Sequence, residues 1–203
     1  MDLLIVISYS YLSGSIPFGL ILAKVITGKD IRKIGSGNIG ATNVFRTGSK
    51  ILSILTLILD ALKGFFPVVI TQKFFPEYFQ ISCLIVFLGH VFPLWLKFKG
   101  GKGVATYLGV LFALSYELSI LFIFTWIVVL LIFKFSSVSS IFSSLTVFIV
   151  TFFRESIGKT IIQDFDITSN LRILLFIFFI LIVFTHQKNI YNLKNKMEKK
   201  INI

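Results

Sequence analysis

Seven apolar runs, separated by polar and basic segments, restrict the folds open to this 203-residue chain more than any other feature. They are Leu3–Ile26, Ile51–Val69, Ile81–Leu96, Val104–Ser115, Ile120–Phe133, Ile141–Phe153 and Leu171–Thr185. A helix needs roughly 20 residues to cross a hydrocarbon core about 30 Å thick, so such runs predict membrane-spanning helices. Charged residues make up 14% of the chain, whereas soluble domains have about 25%. This composition excludes a soluble globular protein and a nucleic-acid-binding domain.

We therefore predict an all-α fold: a polytopic integral membrane protein with about seven transmembrane helices, folded as one domain over residues 1–203. Several runs are short for a full crossing, and Val104–Ser115 is the least secure of them. A short run can be completed by polar flanks, or it can enter and leave the membrane on one face. A five-span arrangement with re-entrant segments is the alternative.

The basic residues predict how the chain is oriented. With seven spans, fifteen lysines and arginines fall in the loops of one face: Lys24, Lys29, Arg32, Lys33, Arg46, Lys50, Lys97, Lys99, Lys102, Lys134, Lys188, Lys194, Lys196, Lys199 and Lys200. Four fall on the other: Lys73, Arg154, Lys159 and Arg172. Since cytoplasmic loops are rich in Lys and Arg, we expect the C-terminus in the cytoplasm and the N-terminus outside.

The first polar segment on the basic face is Gly35–Arg46, "GSGNIGATNVFR". Glycines permit left-handed backbone conformations and let N–H groups converge on an anion. An arginine at its end adds a planar fork of donors suited to phosphate. The candidate substrate contacts here are Gly35, Ser36, Gly37, Asn38, Gly40, Thr42, Asn43 and Arg46. The alternative is an ordinary polar loop between helices.

The second polar segment is Lys97–Thr106, "KFKGGKGVAT". A lysine in a glycine-rich turn before a helix N-terminus forms an anion site, so Lys102 is a candidate phosphate ligand. Its candidate neighbours are Gly100, Gly101 and Gly103. The segment is not a Walker A loop, because the first glycine of that pattern is missing. The alternative is lysines that meet anionic lipid head groups, which accounts for Lys97 and Lys99 but leaves the glycines unexplained.

The third polar segment, Thr185–Glu198, leaves the last apolar run. His186 and Asn189 are three residues apart, so a continuing helix would present both on one face. The serines of "FSSVSSIFSS", among them Ser137 and Ser140, favour close packing of helices in the membrane.

Asp60, Lys63 and His90 are ionisable residues that lie inside apolar runs. An unpaired charge at mid-membrane costs about 2.5–3.5 kcal/mol even on the most lenient scale, so Asp60 and Lys63 are expected to pair or to face a polar interior. Their predicted role is to support the site rather than to react. His90, in "GHVFP", is predicted to be a hydrogen-bonded core histidine.

Taken together, the motifs resemble the acyl-phosphate:glycerol-3-phosphate acyltransferases of bacterial membranes (PlsY type). The matching segments are "SGSIPFG" at Ser13–Gly19, "GSGNIGATNVFR" at Gly35–Arg46, "LDALKGFFPV" at Leu59–Val68, "GHVFPLWLKFKGGKGVAT" at Gly89–Thr106, the serines at 137 and 140, and His186 with Asn189. The C-terminal motif departs from the family pattern. Gln187 and Asn192 replace arginines and Lys196 replaces a glycine, whereas Glu198 is retained.

The resemblance implies transfer of a fatty acyl group from acyl phosphate to the 1-hydroxyl of sn-glycerol 3-phosphate. It implies catalytic roles for Ser36, Arg46, Lys102, His186 and Asn189, with Ser137 and Ser140 lining the site. The proton acceptor is either His186 or the departing phosphate, and we favour the phosphate. The resemblance implies no cofactor and no metal. It also implies a monomer in the bacterial plasma membrane, in contact with lipid, with its site facing the cytoplasm and the acyl-phosphate-forming enzyme as a partner.

Two other functions fit the sequence less well. A transporter or flippase for a small phosphorylated solute predicts polar residues at matched depths in two halves, often with an internal repeat. The polar motifs instead cluster on one face, which favours an interfacial enzyme. An acyltransferase with an H-x-x-x-x-D motif is excluded, because Trp95 and Tyr191 stand five positions after His90 and His186.

Overall fold

The structure is a computed structural model that describes residues 1–153 and 169–201. Its α-helices are α1 Asp2–Ser15, α2 Phe18–Thr27, α3 Ala41–Phe45, α4 Lys50–Phe74, α5 Phe79–Val91, α6 Val104–Leu114, α7 Tyr116–Phe133, α8 Ser136–Phe152, α9 Ser169–Thr185 and α10 Gln187–Lys194. Short 3-10 helices cover Ile31–Lys33, Pro76–Tyr78 and Leu94–Leu96. Every predicted apolar run is mainly helical, and the all-α prediction is confirmed for the described residues.

Among the described residues, four helical stretches are long and apolar enough to cross a membrane. They are Asp2–Thr27, Lys50–Phe74, Pro76–Leu96 and Tyr116–Phe133. A fifth results if Asn170–Thr185 and Gln187–Lys194, bent by 55°, form one span. Helices α6 and α8 are shorter, and the 11 residues of α6 extend for only about 16 Å at about 1.5 Å per residue. The multi-pass character is confirmed, while the count of seven spans and the orientation stay predictions.

The first predicted run is broken in the structure. Helix α1 ends at Ser15, and α2 begins at Phe18. Ile16 between them is extended, with φ −66° and ψ 116°, because the ring of Pro17 disfavours the helical conformation of the residue before it. The run Leu3–Ile26 is therefore two helices rather than one.

The chain forms two compact units, Met1–Ala113 and Leu114–Ile203. In the first unit α1 packs against α4 and α5, while α2 and α3 pack on α4. In the second unit α8 packs against both α7 and α9, and α10 contacts α9.

Helix α4 contains a buried proline, Pro67. The proline leaves one carbonyl of α4 without its helical hydrogen bond, and that carbonyl bonds to α1 instead. Pro67 has no N–H to offer the carbonyl of Lys63, four residues earlier. The Ser13 hydroxyl of α1 donates to that carbonyl at 3.1 Å. In return, Lys63 Nζ donates to the carbonyl of Ile16 at 2.6 Å, where α1 has just ended. Two reciprocal hydrogen bonds thus join α4 to the end of α1.

Candidate functional site

The first glycine loop (residues 35–46) is organised by one buried side chain. Asn43 Nδ2 donates to the carbonyls of Ile31 at 2.8 Å, Ile34 at 3.0 Å and Asn38 at 2.8 Å. Asn43 Oδ1 accepts from the backbone N–H of Ser36 at 2.9 Å. These four hydrogen bonds all close within residues 31–43, so the predicted substrate ligand Asn43 is the internal hub of the loop.

Arg46 lies against a glycine of the same loop. Gly35 has a φ of 60°, in the left-handed region that glycine adopts without strain. A Cβ atom on Gly35 would overlap Asn43 Oδ1 and would lie 3.1 Å from Arg46 Cδ. Glycine at this position therefore lets the half-buried Arg46 side chain pack onto the loop.

The amide groups of the first glycine loop are largely used inside it. In addition to the Ser36 amide, Gly37 N–H donates to the Ile34 carbonyl and Gly40 N–H donates to Asn38 Oδ1, each at 3.0 Å. These three amides therefore do not converge on an anion in this conformation. Ser36 is exposed and Arg46 is half-buried, and their roles toward a substrate stay predictions.

An apolar cluster anchors the two glycine loops to the helices of the first unit. It consists of Leu20, Ala23, Ile31, Ile39, Val44 and Leu52, with Leu22 and Leu96 packed against it. Leu96 belongs to the 3-10 helix that precedes the second glycine loop, so both loops are tied to one cluster. The Ser53 hydroxyl adds a polar anchor, because it donates to the Ala41 carbonyl of α3 at 2.9 Å.

An ion pair stabilises the turn before the first glycine loop. The Asp30 carboxylate accepts from Arg32 N–H at 3.0 Å and pairs with the Arg32 guanidinium at 2.6 Å. Hydrogen bonding to the Arg32 side chain lowers the pKa of Asp30 to about 2.

The second glycine loop (residues 97–103) folds back onto the end of α5. Gly100 N–H donates to the Val91 carbonyl at 3.0 Å, and Gly101 N–H donates to the His90 carbonyl at 3.1 Å. These amides are therefore also used within the protein, and they are not available to an anion in this conformation. The half-buried Lys102 follows directly, between two buried glycines.

Close packing explains the glycines on either side of Lys102. A Cβ atom on Gly101 would overlap the imidazole of His90. A Cβ atom on Gly103, whose φ is 81°, would overlap the ring of Phe87. The two glycines that flank Lys102 thus pack on two side chains of α5, immediately before α6 begins at Val104.

The predicted pairing of the intramembrane charges is confirmed. Lys63 Nζ lies 2.8 Å from Asp60 Oδ1, and both side chains are buried. His90 is also buried, as predicted, and its Nδ1 lies 3.8 Å from Asp60 Oδ1. That distance is a close polar contact rather than a direct hydrogen bond.

In the second unit, His186 stands at a bend. Helix α9 ends at Thr185, and His186 precedes α10, so the helix expected to continue through it turns by 55°. His186 Nδ1 lies 2.7 Å from the Ile182 carbonyl. A carbonyl only accepts, so Nδ1 carries the hydrogen, and in the neutral ring the lone pair is on Nε2.

Asn189 is held by the C-terminal tail. Its Nδ2 donates to Glu198 Oε1 at 2.5 Å, and the Ser137 hydroxyl donates to the same oxygen at 3.3 Å. Glu198 reaches this position because the chain reverses at Lys196, where φ is 59°. The retained glutamate of the altered C-terminal motif is therefore a structural partner of two predicted site residues.

Ser140 serves the packing that the serine pattern favours. Its hydroxyl donates to the Ser136 carbonyl at 2.8 Å and accepts from Trp126 Nε1 of α7 at 3.2 Å. The pattern did not identify Trp126 as the partner, because an indole at a distant position carries no local signal.

Comparison with known proteins places the chain in a family. Residues 4–196 match the glycerol-3-phosphate acyltransferase family. A glycerol-3-phosphate acyltransferase of Pelagibacter ubique (strain HTCC1062) is 49% identical over 203 residues, with 100% of both chains covered. One from Wolbachia pipientis subsp. Culex pipiens (strain wPip) is 44% identical, with 98% of this chain and 99% of the relative covered.

Two solved structures are also similar. The crystal structure of PlsY (YgiH), an integral membrane glycerol 3-phosphate acyltransferase, in its glycerol 3-phosphate form is 34% identical, with a TM-score of 0.88 over 100% of this chain and 96% of that chain. The lysophosphatidic acid form is 32% identical, with a TM-score of 0.84 and the same coverage. The chain belongs to the glycerol-3-phosphate acyltransferase family, and the comparisons give no support to a transporter.

Proposed function

We propose that this chain transfers a fatty acyl group from acyl phosphate to the 1-hydroxyl of sn-glycerol 3-phosphate. The products are 1-acylglycerol 3-phosphate (lysophosphatidic acid) and inorganic phosphate. Family membership supports an acyltransferase that uses glycerol 3-phosphate. The observation that carries the proposal is the pair of glycine loops, in each of which glycine amides donate to carbonyls of the protein and one cation, Arg46 or Lys102, lies beside a closely packed glycine.

The reaction needs no covalent acyl-enzyme, because acyl phosphate is a mixed anhydride and is already activated. The hydroxyl oxygen of glycerol 3-phosphate forms the new ester bond to the acyl carbon. The bond between that carbon and the phosphate oxygen breaks, and phosphate leaves with the electron pair. The hydroxyl proton passes to a base.

Residues of the first unit are proposed to act on phosphate. Arg46 and Lys102 neutralise phosphate oxygens of both substrates and the charge that develops on the departing phosphate. The exposed Ser36 hydroxyl, in the same loop as Arg46, helps to position glycerol 3-phosphate. The flanking glycines 35, 37, 40, 100, 101 and 103, together with Asn38, Thr42 and Asn43, shape the two loops that carry these groups.

Residues of the second unit are proposed to act on the attacking hydroxyl. Asn189 positions glycerol 3-phosphate, and Ser137 and Ser140 line the site. His186 is one candidate base, through Nε2, and the departing phosphate is the other and the one we favour. A general base contributes about 10²–10⁴-fold, so His186→Ala with more than about a tenth of the wild-type rate would exclude His186 as the base.

The finer topology belongs to the same proposal. We place the C-terminus and the site in the cytoplasm and the N-terminus outside, with seven spans, because the basic residues are concentrated on one face. We also propose that residues 1–203 act as one acyltransferase domain, as a monomer in the bacterial plasma membrane. The enzyme that forms acyl phosphate is its proposed partner.

The identity of the acyl donor is the test of the proposed function. Purified protein would be incubated with glycerol 3-phosphate and, in turn, palmitoyl phosphate, palmitoyl-CoA and palmitoyl acyl carrier protein. Lysophosphatidic acid is expected with palmitoyl phosphate, with one inorganic phosphate released per ester formed. Product formed only from the thioesters would refute acyl phosphate as donor. Phosphate released before glycerol 3-phosphate is added, in amounts equal to the enzyme, would contradict direct transfer.

A further inference from the structure

Asp60, Lys63 and His90 form a buried polar group that the proposed reaction does not use. They are 2%, 5% and 4% exposed. Asp60 and Lys63 pair with each other at 2.8 Å, so their charges are balanced without the histidine. His90 is therefore not needed to balance the charge of Asp60, and its location beside the second glycine loop indicates another role.

His90 supports the second glycine loop by two contacts. Its carbonyl accepts from Gly101 N–H at 3.1 Å. Its imidazole fills the place that a Cβ atom on Gly101 would take, and all three of the nearest atoms to that Cβ belong to the ring. The position of Gly101, and with it that of the adjoining Lys102, is set by where this ring lies.

The other side of the ring faces Asp60. His90 Nδ1 lies 3.8 Å from Asp60 Oδ1. Asp60 is fixed by Lys63, and Lys63 is fixed in turn by the Ile16 carbonyl at 2.6 Å. The imidazole is thus packed between a carboxylate that is held in place and the backbone of Gly101.

We propose that His90, packed beside Asp60, is a positioning residue that sets the place of the Lys102 ammonium group. This inference rests on the proposed role of Lys102 in binding phosphate. His90 touches neither substrate. It acts through Gly101, and a misplacement of about 1 Å at such a site can cost about 10²-fold in rate.

The direct test is a pair of substitutions whose effects reverse when they are combined. Gly101→Ala is expected to lower kcat/KM, because its Cβ overlaps the imidazole. His90→Ala is expected to lower kcat/KM by up to about 10²-fold, because the loop loses its support. In the double variant the added methyl occupies space that the ring has left, so the double variant should exceed both single variants in kcat/KM.

Kinetic constants separate positioning from general stability. His90→Ala and Asp60→Asn should raise the KM for glycerol 3-phosphate, and Lys102→Arg, which changes the reach of the cation, should do the same. Ser82→Ala is the matched control. It removes a buried hydrogen bond of the same helix, 2.9 Å from Ser10, far along α5 from His90. The control should lower thermal stability and leave KM unchanged.

Binding of glycerol 3-phosphate to the same purified variants, measured by calorimetry, distinguishes the two possible failures. If wild-type protein binds glycerol 3-phosphate and His90→Ala binds it equally well, the positioning role is wrong and the proposed function stands. The positioning role is also wrong if Gly101→Ala keeps wild-type kcat/KM. If the wild-type protein neither binds glycerol 3-phosphate nor turns it over, the proposed function fails and the inference fails with it.

Discussion

The first glycine loop is held by one of its own side chains, the carboxamide of Asn43. The second is held by a neighbouring helix, α5, through backbone carbonyls and the rings of His90 and Phe87. Both arrangements have one outcome. Glycine amides donate to carbonyls of the protein, and one half-buried cation, Arg46 or Lys102, lies beside a glycine. Glycine allows a left-handed backbone and a close approach in both loops, at Gly35 and at Gly103, and the difference lies in the neighbour: Asn43 of the same loop in the first case and a ring of α5 in the second.

The contrast between the loops first predicts the effect of Asn43→Ala. The variant removes four hydrogen bonds, each worth about 0.5–1.5 kcal/mol net, and it takes from the Asn38 carbonyl and the Ser36 N–H the partner that each has in Asn43. We expect kcat/KM to fall by about 10²-fold, because Arg46 loses the loop that orients it. The control is Asn195→Ala, which removes one exposed hydrogen bond, to Tyr191. Equal losses of kcat/KM in Asn43→Ala and Asn195→Ala would refute the role of Asn43 as the hub of the first loop.

The second prediction concerns the close approach in the second loop. Gly103→Ala adds a Cβ that overlaps Phe87, at a φ of 81°. Gly48→Ala is a matched control, because φ is 94° and nothing lies within 4 Å of its Cβ. A left-handed conformation costs an alanine about 1–2 kcal/mol in both variants. We expect only Gly103→Ala to lose activity, by about tenfold or more; a similar loss in Gly48→Ala would show that strain alone is at work.

The third prediction tests how the first loop is attached to α4. Ser53→Ala removes one hydrogen bond to the Ala41 carbonyl and should reduce the free energy of unfolding by about 0.5–1.5 kcal/mol. Thermal unfolding in detergent would measure it. Activity should change little, because Asn43 still holds the loop. A loss of activity as large as that of Asn43→Ala would contradict the assignment of Asn43 as the residue that holds the first loop.

The smallest expected effect is that of Asp30→Asn, at the entry to the first loop. The folded-state pKa of Asp30 is about 2, below its ordinary 3.8. A lowered pKa means that the ion pair stabilises the fold above about pH 3.8 and that this stabilisation is lost as the pH falls towards 2. The difference in thermal stability between wild type and Asp30→Asn should therefore be small at neutral pH and should vanish near pH 2. A difference that grows on acidification would contradict the pairing.

Much of the fold followed from the sequence because its signals are local. Each apolar run is mainly helical, and the cost of an unpaired charge in an apolar run correctly predicted that Asp60 pairs with Lys63. The break at Ile16 was not predicted, although Pro17, which follows it, is a local signal for such a break. The support of the Lys63 carbonyl by Ser13 has no local signal, because it joins residues 50 positions apart.

The sequence predicted which residues make up the two glycine loops, but it did not predict the hydrogen bonds that their amides form. The glycines indicated amides turned towards an anion, yet Gly37, Gly100 and Gly101 donate to carbonyls of the protein itself. A glycine in the sequence does not reveal whether it is there for its φ value or for close packing against a neighbouring ring. The bend at His186 was likewise missed, since no proline or glycine marks it.

The central claim is that side-chain cations in glycine loops, rather than loop amides or general basicity, bind phosphate. The most direct test compares Lys102→Met with Lys99→Met, two changes that remove one charge each from the same loop, with kcat/KM measured on palmitoyl phosphate and glycerol 3-phosphate. We predict a loss of about 10²–10³-fold for Lys102→Met and little change for the exposed Lys99→Met. Equal losses, or wild-type activity in Lys102→Met, would contradict the claim.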